Sequence, residues 1–192
     1  MTPISPRSAI TASRCQPLNQ RFRCNMCFVP TEEATMAAME MRREGQCQCG
    51  NIRYRLIGEP LTLYICHCLH CQKQSSSAFG MSLWINRDDI EFLSGELKFW
   101  TTKGDSGATK MCAFCGNCGS RIYHASDDGQ ASLSLKAGTL NDTSWLRPVA
   151  HIWTKRAQPW ISIDQESGRC YDEEPPSDEE LLRLWRDSNR AE

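Results

Sequence analysis

From Gly45 onward the chain is made of short apolar–polar alternations broken by turn residues. Ile52, Tyr54 and Leu56 alternate with Arg53, Arg55 and Ile57, which predicts a half-buried strand closed by Gly58-Glu59-Pro60. Leu61–Ile65 predicts a second strand and Ala78–Ile85 a third. Ile90–Leu93 and Leu97–Thr101 flank Ser94-Gly95-Glu96, the pattern of a hairpin. Thr109–Phe114 leads into Cys115. Arg121–His124 and Ser132–Lys136 flank the turn residues Asp127-Asp128-Gly129, and His151–Thr154 and Trp160–Ile163 flank a loop containing Pro159. Many short strands separated by turns predict a mainly β domain over residues 45–164.

The two ends have a different texture. Residues 1–44 carry Pro3, Pro6, Pro17 and Pro30 and keep no period of 2 or 3.6, so they read as a flexible N-terminal extension. Arg7, Arg14, Arg21 and Arg23 all precede the first acid, Glu32, as in an organelle transit peptide; an untethered extension, with Met36, Met39 or Met41 as alternative starts, is the plainer reading. Residues 32–43 are rich in helix formers. Residues 165–192 read as a polar linker and a helix. Ser177-Asp178-Glu179-Glu180 has the capping-box pattern, and Leu181, Leu182, Leu184 and Trp185 form an apolar face, which predicts a helix from about residue 178 to 188.

Composition narrows the function classes. The net charge is -1, so no overall basic footprint for nucleic acid is present. No apolar run approaches the roughly 20 residues of a membrane span. Twelve cysteines are many for 192 residues. They suit either a disulfide scaffold or metal binding. Seven fall in three tight groups, Cys47-x-Cys49, Cys66-x-Cys68-x-x-Cys71 and Cys115-x-x-Cys118. Such spacing disfavours bridges within a group and suits zinc, with a reducing, cytoplasmic setting. A knuckle at Cys115 and Cys118 needs two more ligands, which Cys47 and Cys49 offer. Four thiolates close a structural site. Cys66, Cys68 and Cys71 remain, and three ligands leave an open coordination position of the catalytic kind. That second ion is expected to be the more labile. Cys24-x-x-Cys27 is a lone pair in the extension and carries little weight, and Cys170 reads as a bystander.

Three motifs together resemble the glutathione-dependent formaldehyde-activating enzyme family, whose domain centromere protein V shares. They are Gly45-Gln46-Cys47-Gln48-Cys49-Gly50, Cys66-His67-Cys68-Leu69-His70-Cys71 and Phe114-Cys115-Gly116-Asn117-Cys118-Gly119-Ser120. Gly138-Thr139-Leu140-Asn141-Asp142, Pro148, His151-Ile152-Trp153 and Trp160 follow in the same order. The resemblance implies antiparallel sheets of the Mss4-like, or β-tent, kind. It implies a structural zinc on Cys47, Cys49, Cys115 and Cys118 and a catalytic zinc on Cys66, Cys68 and Cys71. The implied activity is a carbon–sulfur lyase reaction on a thiol–aldehyde adduct, the formation or breakdown of S-hydroxymethylglutathione. The chain departs from the family pattern at Gln72, where Arg is common, at Ser76, where Gly is common, and at Cys112, where a basic residue is common.

The implied partner is a small-molecule thiol such as glutathione, with no nucleic acid and no membrane. The alternative is a non-catalytic zinc-binding interaction module of the same fold. His151 is a candidate proton carrier or, equally, a hydrogen-bonded strand histidine. His67 and His70 are expected to support the thiols rather than to ligate, and His124 to be structural. Trp84, Trp100, Trp145, Trp153 and Trp160 are expected in the core or at a rim. Lys73, Lys110, Arg121 and Lys136 are candidates to meet a substrate carboxylate or are plain surface charges. Cys112 is an eighth thiol that would complete the open site, compete for the closed one, or simply fill a strand.

Overall fold

A computed structural model of the chain describes residues 43–104, 107–126, 131–164 and 169–190. The Cys24–Cys27 pair, the helix formers before residue 43 and the Asp127-Asp128-Gly129 turn lie outside the described residues. Strand β1 (Glu44–Gln46) is followed by β2 (Arg53–Leu56) and β3 (Thr62–Cys66). Helix α1 (Leu69–Ser75) then precedes β4 (Gly80–Asn86), β5 (Ile90–Ser94), β6 (Leu97–Lys103) and β7 (Thr109–Cys115). Strands β8 (Arg121–Ser126), β9 (Ser132–Lys136) and β10 (Ala150–Ile152) follow, and helix α2 (Asp178–Asn189) comes last. The mainly β expectation holds, with a short C-terminal helix.

The strands form two sheets. One has three strands in the order β1-β2-β5, and the other seven in the order β10-β3-β4-β9-β8-β7-β6. All pairs are antiparallel except β10 with β3. Alternation decides what each face meets. Ile52, Tyr54 and Leu56 are fully or nearly fully buried, while Arg53 between them is exposed. They pack against the inner face of the large sheet, where Leu63, Leu83, Leu135, Tyr123 and Ala113 stand in one cross-strand row.

Three local expectations give way to tertiary structure. The segments around Ser94-Gly95-Glu96 do not form a hairpin: β5 pairs with β2 in the small sheet and β6 with β7 in the large one. Tyr54 opposite Phe92, with rings 6.2 Å apart, holds β5 in the small sheet, and Gly95 makes the crossing at φ +79. A Cβ there would lie 2.4 Å from the Asn51 carbonyl oxygen, so only glycine fits. Trp160–Ile163 is not a strand. The Ile161 N–H turns back to the Gln158 carbonyl around Pro159, and Trp160 is largely exposed. The capping box is not made either. Ser177 occupies the N-cap position without a side-chain hydrogen bond, and the Glu180 carboxylate, which the box would turn back to the Ser177 N–H, is taken by Arg183 and the Tyr171 hydroxyl.

Helix α2 covers the outer side of β3. Leu181 and Leu184 are buried in a second cluster with Tyr64, Val149, Ile152, Trp153 and three cysteines. The Thr62 hydroxyl donates to the Leu181 carbonyl at 3.1 Å. The chain before the helix is tied down too, since residues 169–173 exchange backbone hydrogen bonds with 151–154. Leu181→Ala is therefore expected to cost about 2–5 kcal/mol in chemical denaturation. A change within about 0.5 kcal/mol, the size of a surface substitution, would show that the helix is not part of the core.

Candidate functional site

The four outer cysteines sit on two matching backbone turns. After β1 the chain turns so that the Cys47 N–H meets the Ile52 carbonyl at 3.0 Å and the Gly50 N–H meets the Cys47 carbonyl at 2.9 Å. After β7 the Cys115 N–H meets the Ser120 carbonyl at 2.9 Å, and the Gly119 N–H meets the Cys115 carbonyl at 2.9 Å. Gly50 and Gly119 both take positive φ, +73 and +76. The Sγ atoms of Cys47 and Cys49 are 3.5 Å apart, those of Cys49 and Cys115 3.8 Å, and all four ligand atoms including Cys118 lie within 4.8 Å of one another. A tetrahedron with metal–sulfur bonds of 2.3 Å has edges of about 3.8 Å, whereas a disulfide needs sulfurs about 2.05 Å apart. The described cysteines are all free thiols.

The surroundings favour thiolates here. The Asn117 side-chain amide donates to the Cys49 sulfur at 3.2 Å and pulls its pKa down. The Ser120 hydroxyl lies 3.2 Å from the Cys118 sulfur and pushes that pKa down to about 5. Burial acts the other way on Cys47, although the Ile52 N–H donates to its sulfur at 3.2 Å. The group joins the small sheet to the far end of the large one.

The inner three cysteines are placed by the end of β3 and the start of α1. Cys66 closes the strand, Cys68 is the N-cap of the helix with extended backbone, and Cys71 follows in its first turn. The Cys71 N–H donates to the Cys68 sulfur at 3.4 Å. All three thiols are buried, within 4.8 Å of one another. Such crowding splits their acidities. Hydrogen bonding from the Cys66 and Cys71 sulfurs pulls the Cys68 thiol down, while Cys68, Cys71 and burial push Cys66 far up. A soft divalent cation removes that conflict, and the donor chemistry fits one.

Two departures from the family pattern find structural roles. Ser76 is the C-cap of α1 at φ 50, the left-handed position where glycine is cheaper. Gln72 donates its amide to the carbonyls of His67 at 2.7 Å and Arg156 at 2.8 Å, and accepts from Gln158 at 2.8 Å, so it ties the helix to the loop after β10. Neither lines the cavity beside the thiols.

That cavity, of about 160 Å³, opens from Cys66, Cys68 and Cys71 across the outer face of the large sheet. Pairing register explains its wall. Trp100, Cys112, His124, Ser134 and Trp84 stand in one cross-strand row, each opposite the next. The row lies on the face away from Leu135 and Tyr123. In β9 the alternation Ser132-Leu133-Ser134-Leu135-Lys136 sends the leucines into the core and the serines and lysine to the other side. Ser134 and Lys136 are nevertheless buried, and the Ser134 Oγ and Lys136 Nζ atoms have no hydrogen-bond partner among the described residues. Burial pushes the Lys136 ammonium down to about 8, against the pull of Cys71 and Cys66. His124 is held well below its ordinary range, first by burial and then by Lys136, Lys110 and Arg121.

Sequence reasoning gave Lys110, Arg121 and Lys136 as candidates to meet a substrate carboxylate or as plain surface charges, and it missed Ser134 and Ser82 on the same wall. The signal was a strand of strict alternation between two apolar-rich neighbours, whose polar side meets a cavity instead of solvent. Cys112 faces the cavity but joins neither thiol group. Trp84, Trp100 and Trp153 line the cavity, while Trp145 and Trp160 lie elsewhere. Trp153 itself is held by a bond from its indole N–H to the Glu174 carboxylate at 3.0 Å.

The histidines separate. His70 is exposed at the cavity rim. His67 is fully buried, and its Nε2 lies 2.9 Å from Nδ1 of His151 with the two rings stacked. Burial, and for His67 also its partner, pulls both pKa values down. Strand β10 presents Ile152 to the cavity, and His151, one residue earlier, is not among the residues lining it.

A search of curated proteins gives no match. Among solved structures, a crystal structure of a Rhodobacter sphaeroides protein aligns with a TM-score of 0.40 and 16% identity, covering 55% of this chain and 91% of that one. The family described as glutathione-dependent formaldehyde-activating enzyme matches residues 42–156, more than half of the chain. Both thiol groups and the sheets that carry them fall inside that span, and the chain belongs to the glutathione-dependent formaldehyde-activating enzyme family.

Proposed function

We propose that the protein is a zinc-dependent carbon–sulfur lyase acting on a thiol–aldehyde adduct, of which S-hydroxymethylglutathione is the leading candidate, in the cytoplasm. The observation that carries this reading is the convergence of three buried thiols at the edge of a cavity, with no fourth protein ligand grouped with them among the described residues. Cys66, Cys68 and Cys71 would hold the catalytic zinc, and Cys47, Cys49, Cys115 and Cys118 the structural one. A bound zinc would supply Lewis acidity and keep an entering thiol deprotonated.

The reaction itself is balanced and simple. In the forward direction the thiol sulfur bonds to the aldehyde carbon, the carbonyl π bond opens, and the oxygen takes up the proton the thiol gives away. In the reverse direction the carbon–sulfur bond breaks, the hydroxyl loses its proton, and the carbonyl reforms. The chain's own contribution is placement and shielding. Trp84, Trp100 and Trp153 narrow the cavity and restrict water around the reacting sulfur. His151 keeps a supporting role in this reading, since its bond to His67 fixes the residue between Cys66 and Cys68.

The test is exchange spectroscopy by NMR on the full-length, metal-loaded protein with formaldehyde and glutathione. Interconversion of free and hydroxymethylated glutathione is expected at least about a hundredfold above the spontaneous rate, the low end of what general catalytic assistance contributes. Interconversion at the spontaneous rate would defeat the reading.

A further inference from the structure

Cys112 is a thiol that the two metal groups leave unused. It lines the cavity from β7 and belongs to neither cysteine cluster. In the sheet order β7 stands four strands from β3, so Cys112 occupies a different part of the wall from Cys66. Register gives it two neighbours on its own face, Trp100 on β6 and His124 on β8. Directly opposed residues hold their Cβ atoms about 4.5–5.5 Å apart, so thiol and imidazole stand side by side. The next member of the row is Ser134, opposite His124 on β9. Ser134 is only 3% exposed and lines the cavity, yet its Oγ has no hydrogen-bond partner among the described residues. The Cys112 sulfur itself makes only a long contact, 3.8 Å, to the Lys110 carbonyl.

A thiol becomes a nucleophile when a base takes its proton. His124 is the base at hand. Burial, with Lys136, Lys110 and Arg121 around it, holds the imidazole neutral and able to accept a proton. The row thus sets a nucleophile, a proton carrier and an unanswered hydroxyl in sequence across three strands. That set answers an electrophile whose oxygen gains a proton as sulfur attacks, which is the chemistry of a carbonyl. A disulfide offers no oxygen for His124 and Ser134 to meet. The cavity volume of about 160 Å³ suits a small carbonyl compound.

We propose that Cys112 is a covalent capture site for a small aldehyde, with His124 as its proton carrier. The Cys112 sulfur bonds to the carbonyl carbon, the π bond opens onto oxygen, and the thiol proton passes through the His124 imidazole to that oxygen. The product is a hemithioacetal, whose hydroxyl has His124 and Ser134 on its side of the wall. Nothing is oxidised or reduced and no group leaves. Reversal returns the aldehyde to the cavity on which Cys66, Cys68 and Cys71 open. The choice of an aldehyde as ligand rests on the thiol–aldehyde reading above, and the site gives that aldehyde a place apart from the thiol. Cys112 stands where a basic residue is common in the family, so the site belongs to this chain.

The experiment is carbon-13 NMR of the full-length, metal-loaded protein with carbon-13 formaldehyde and no added thiol. Other thiols and amines also take up formaldehyde, so the spectrum is compared with that of Cys112→Ala, and N-acetylcysteine serves as the unassisted thiol. One sulfur-bound hydroxymethyl signal is expected to vanish in the variant. Its dissociation constant in the wild type should be about fivefold below that of N-acetylcysteine, as one ordinary hydrogen bond gives. In Ser134→Ala that advantage should be lost, and in His124→Phe formation of the adduct should slow at least about a hundredfold. If Cys112→Ala does not fold, Cys112→Ser carries the same comparison. A spectrum unchanged by loss of the thiol overturns the site. A wild-type constant equal to that of N-acetylcysteine, with a rate unchanged in His124→Phe, makes Cys112 an ordinary thiol and overturns it as well. If the Cys112 signal forms while formaldehyde and glutathione interconvert at the spontaneous rate, the lyase reading falls and the capture site stands.

Discussion

Cys115→Ser is expected to leave a domain that does not hold its fold. Cys115 is completely buried at the end of β7, where it is the last residue paired with β6, opposite Leu97. Its sulfur lies 3.8 Å from that of Cys49, across the seam between the small sheet and the large one. No strand pairing closes that seam among the described residues, because β5 and β6 separate at Gly95 and join different sheets. A metal ion held by the four thiolates would be a strong cross-link there. Structural zinc in finger peptides contributes roughly 10–16 kcal/mol of apparent binding energy, while a whole domain is stable by about 5–15 kcal/mol. Loss of one ligand weakens that link by an amount comparable with the total. Circular dichroism melts and metal analysis of the purified variant should show no cooperative transition at the wild-type temperature and no tightly held ion at this site. A variant that melts at the wild-type temperature with one ion fewer would mean that hydrophobic packing alone joins the sheets.

Local pattern was a good guide wherever a contact is set by neighbours in sequence. Ile52, Tyr54 and Leu56 announce a buried face by alternation, and the cysteine spacings announce two turns that aim sulfurs at one point. It was a poor guide wherever the partner is remote. Nothing near Gly95 says that β5 belongs with β2, since the decision rests on Phe92 meeting Tyr54 across the small sheet. The same holds for the cavity. A serine, serine, lysine face in β9 reads as solvated, because period-two alternation separates the two sides of a strand without saying what lies on either. The side of β10 that carries His151 was likewise undecided until the parallel pairing with β3 set Ile152 beside Cys66. Helix α1 was hidden in what reads as a cysteine loop. Its seven residues owe their start to the Cys68 cap and their end to Ser76 in the left-handed position.

Cys68→Ser is expected to separate chemistry from folding. The residue caps α1 and accepts from the Cys71 N–H, and serine is itself a favoured N-cap, so the helix start survives the change. Its neighbours Cys66 and Cys71 remain, but two thiolates and a hydroxyl hold a soft ion far less well than three thiolates. The outer group, on β7 and the turn after β1, shares no residue with this one and would keep its own ion. The bound metal should therefore fall from two ions per chain to one, with the melting temperature lowered by no more than about 5 °C, the shift that roughly 1 kcal/mol produces in a domain of this size. Turnover of the thiol–aldehyde adduct should drop at least about a hundredfold, towards the spontaneous rate, because the group that deprotonates and orients the thiol is gone. If turnover persists while the second ion is lost, the chemistry lies elsewhere on the cavity wall, and Cys112 is the thiol there to examine next. If the chain unfolds instead, the inner thiols are a structural clip like the outer ones, and the distinction between a closed and an open site fails.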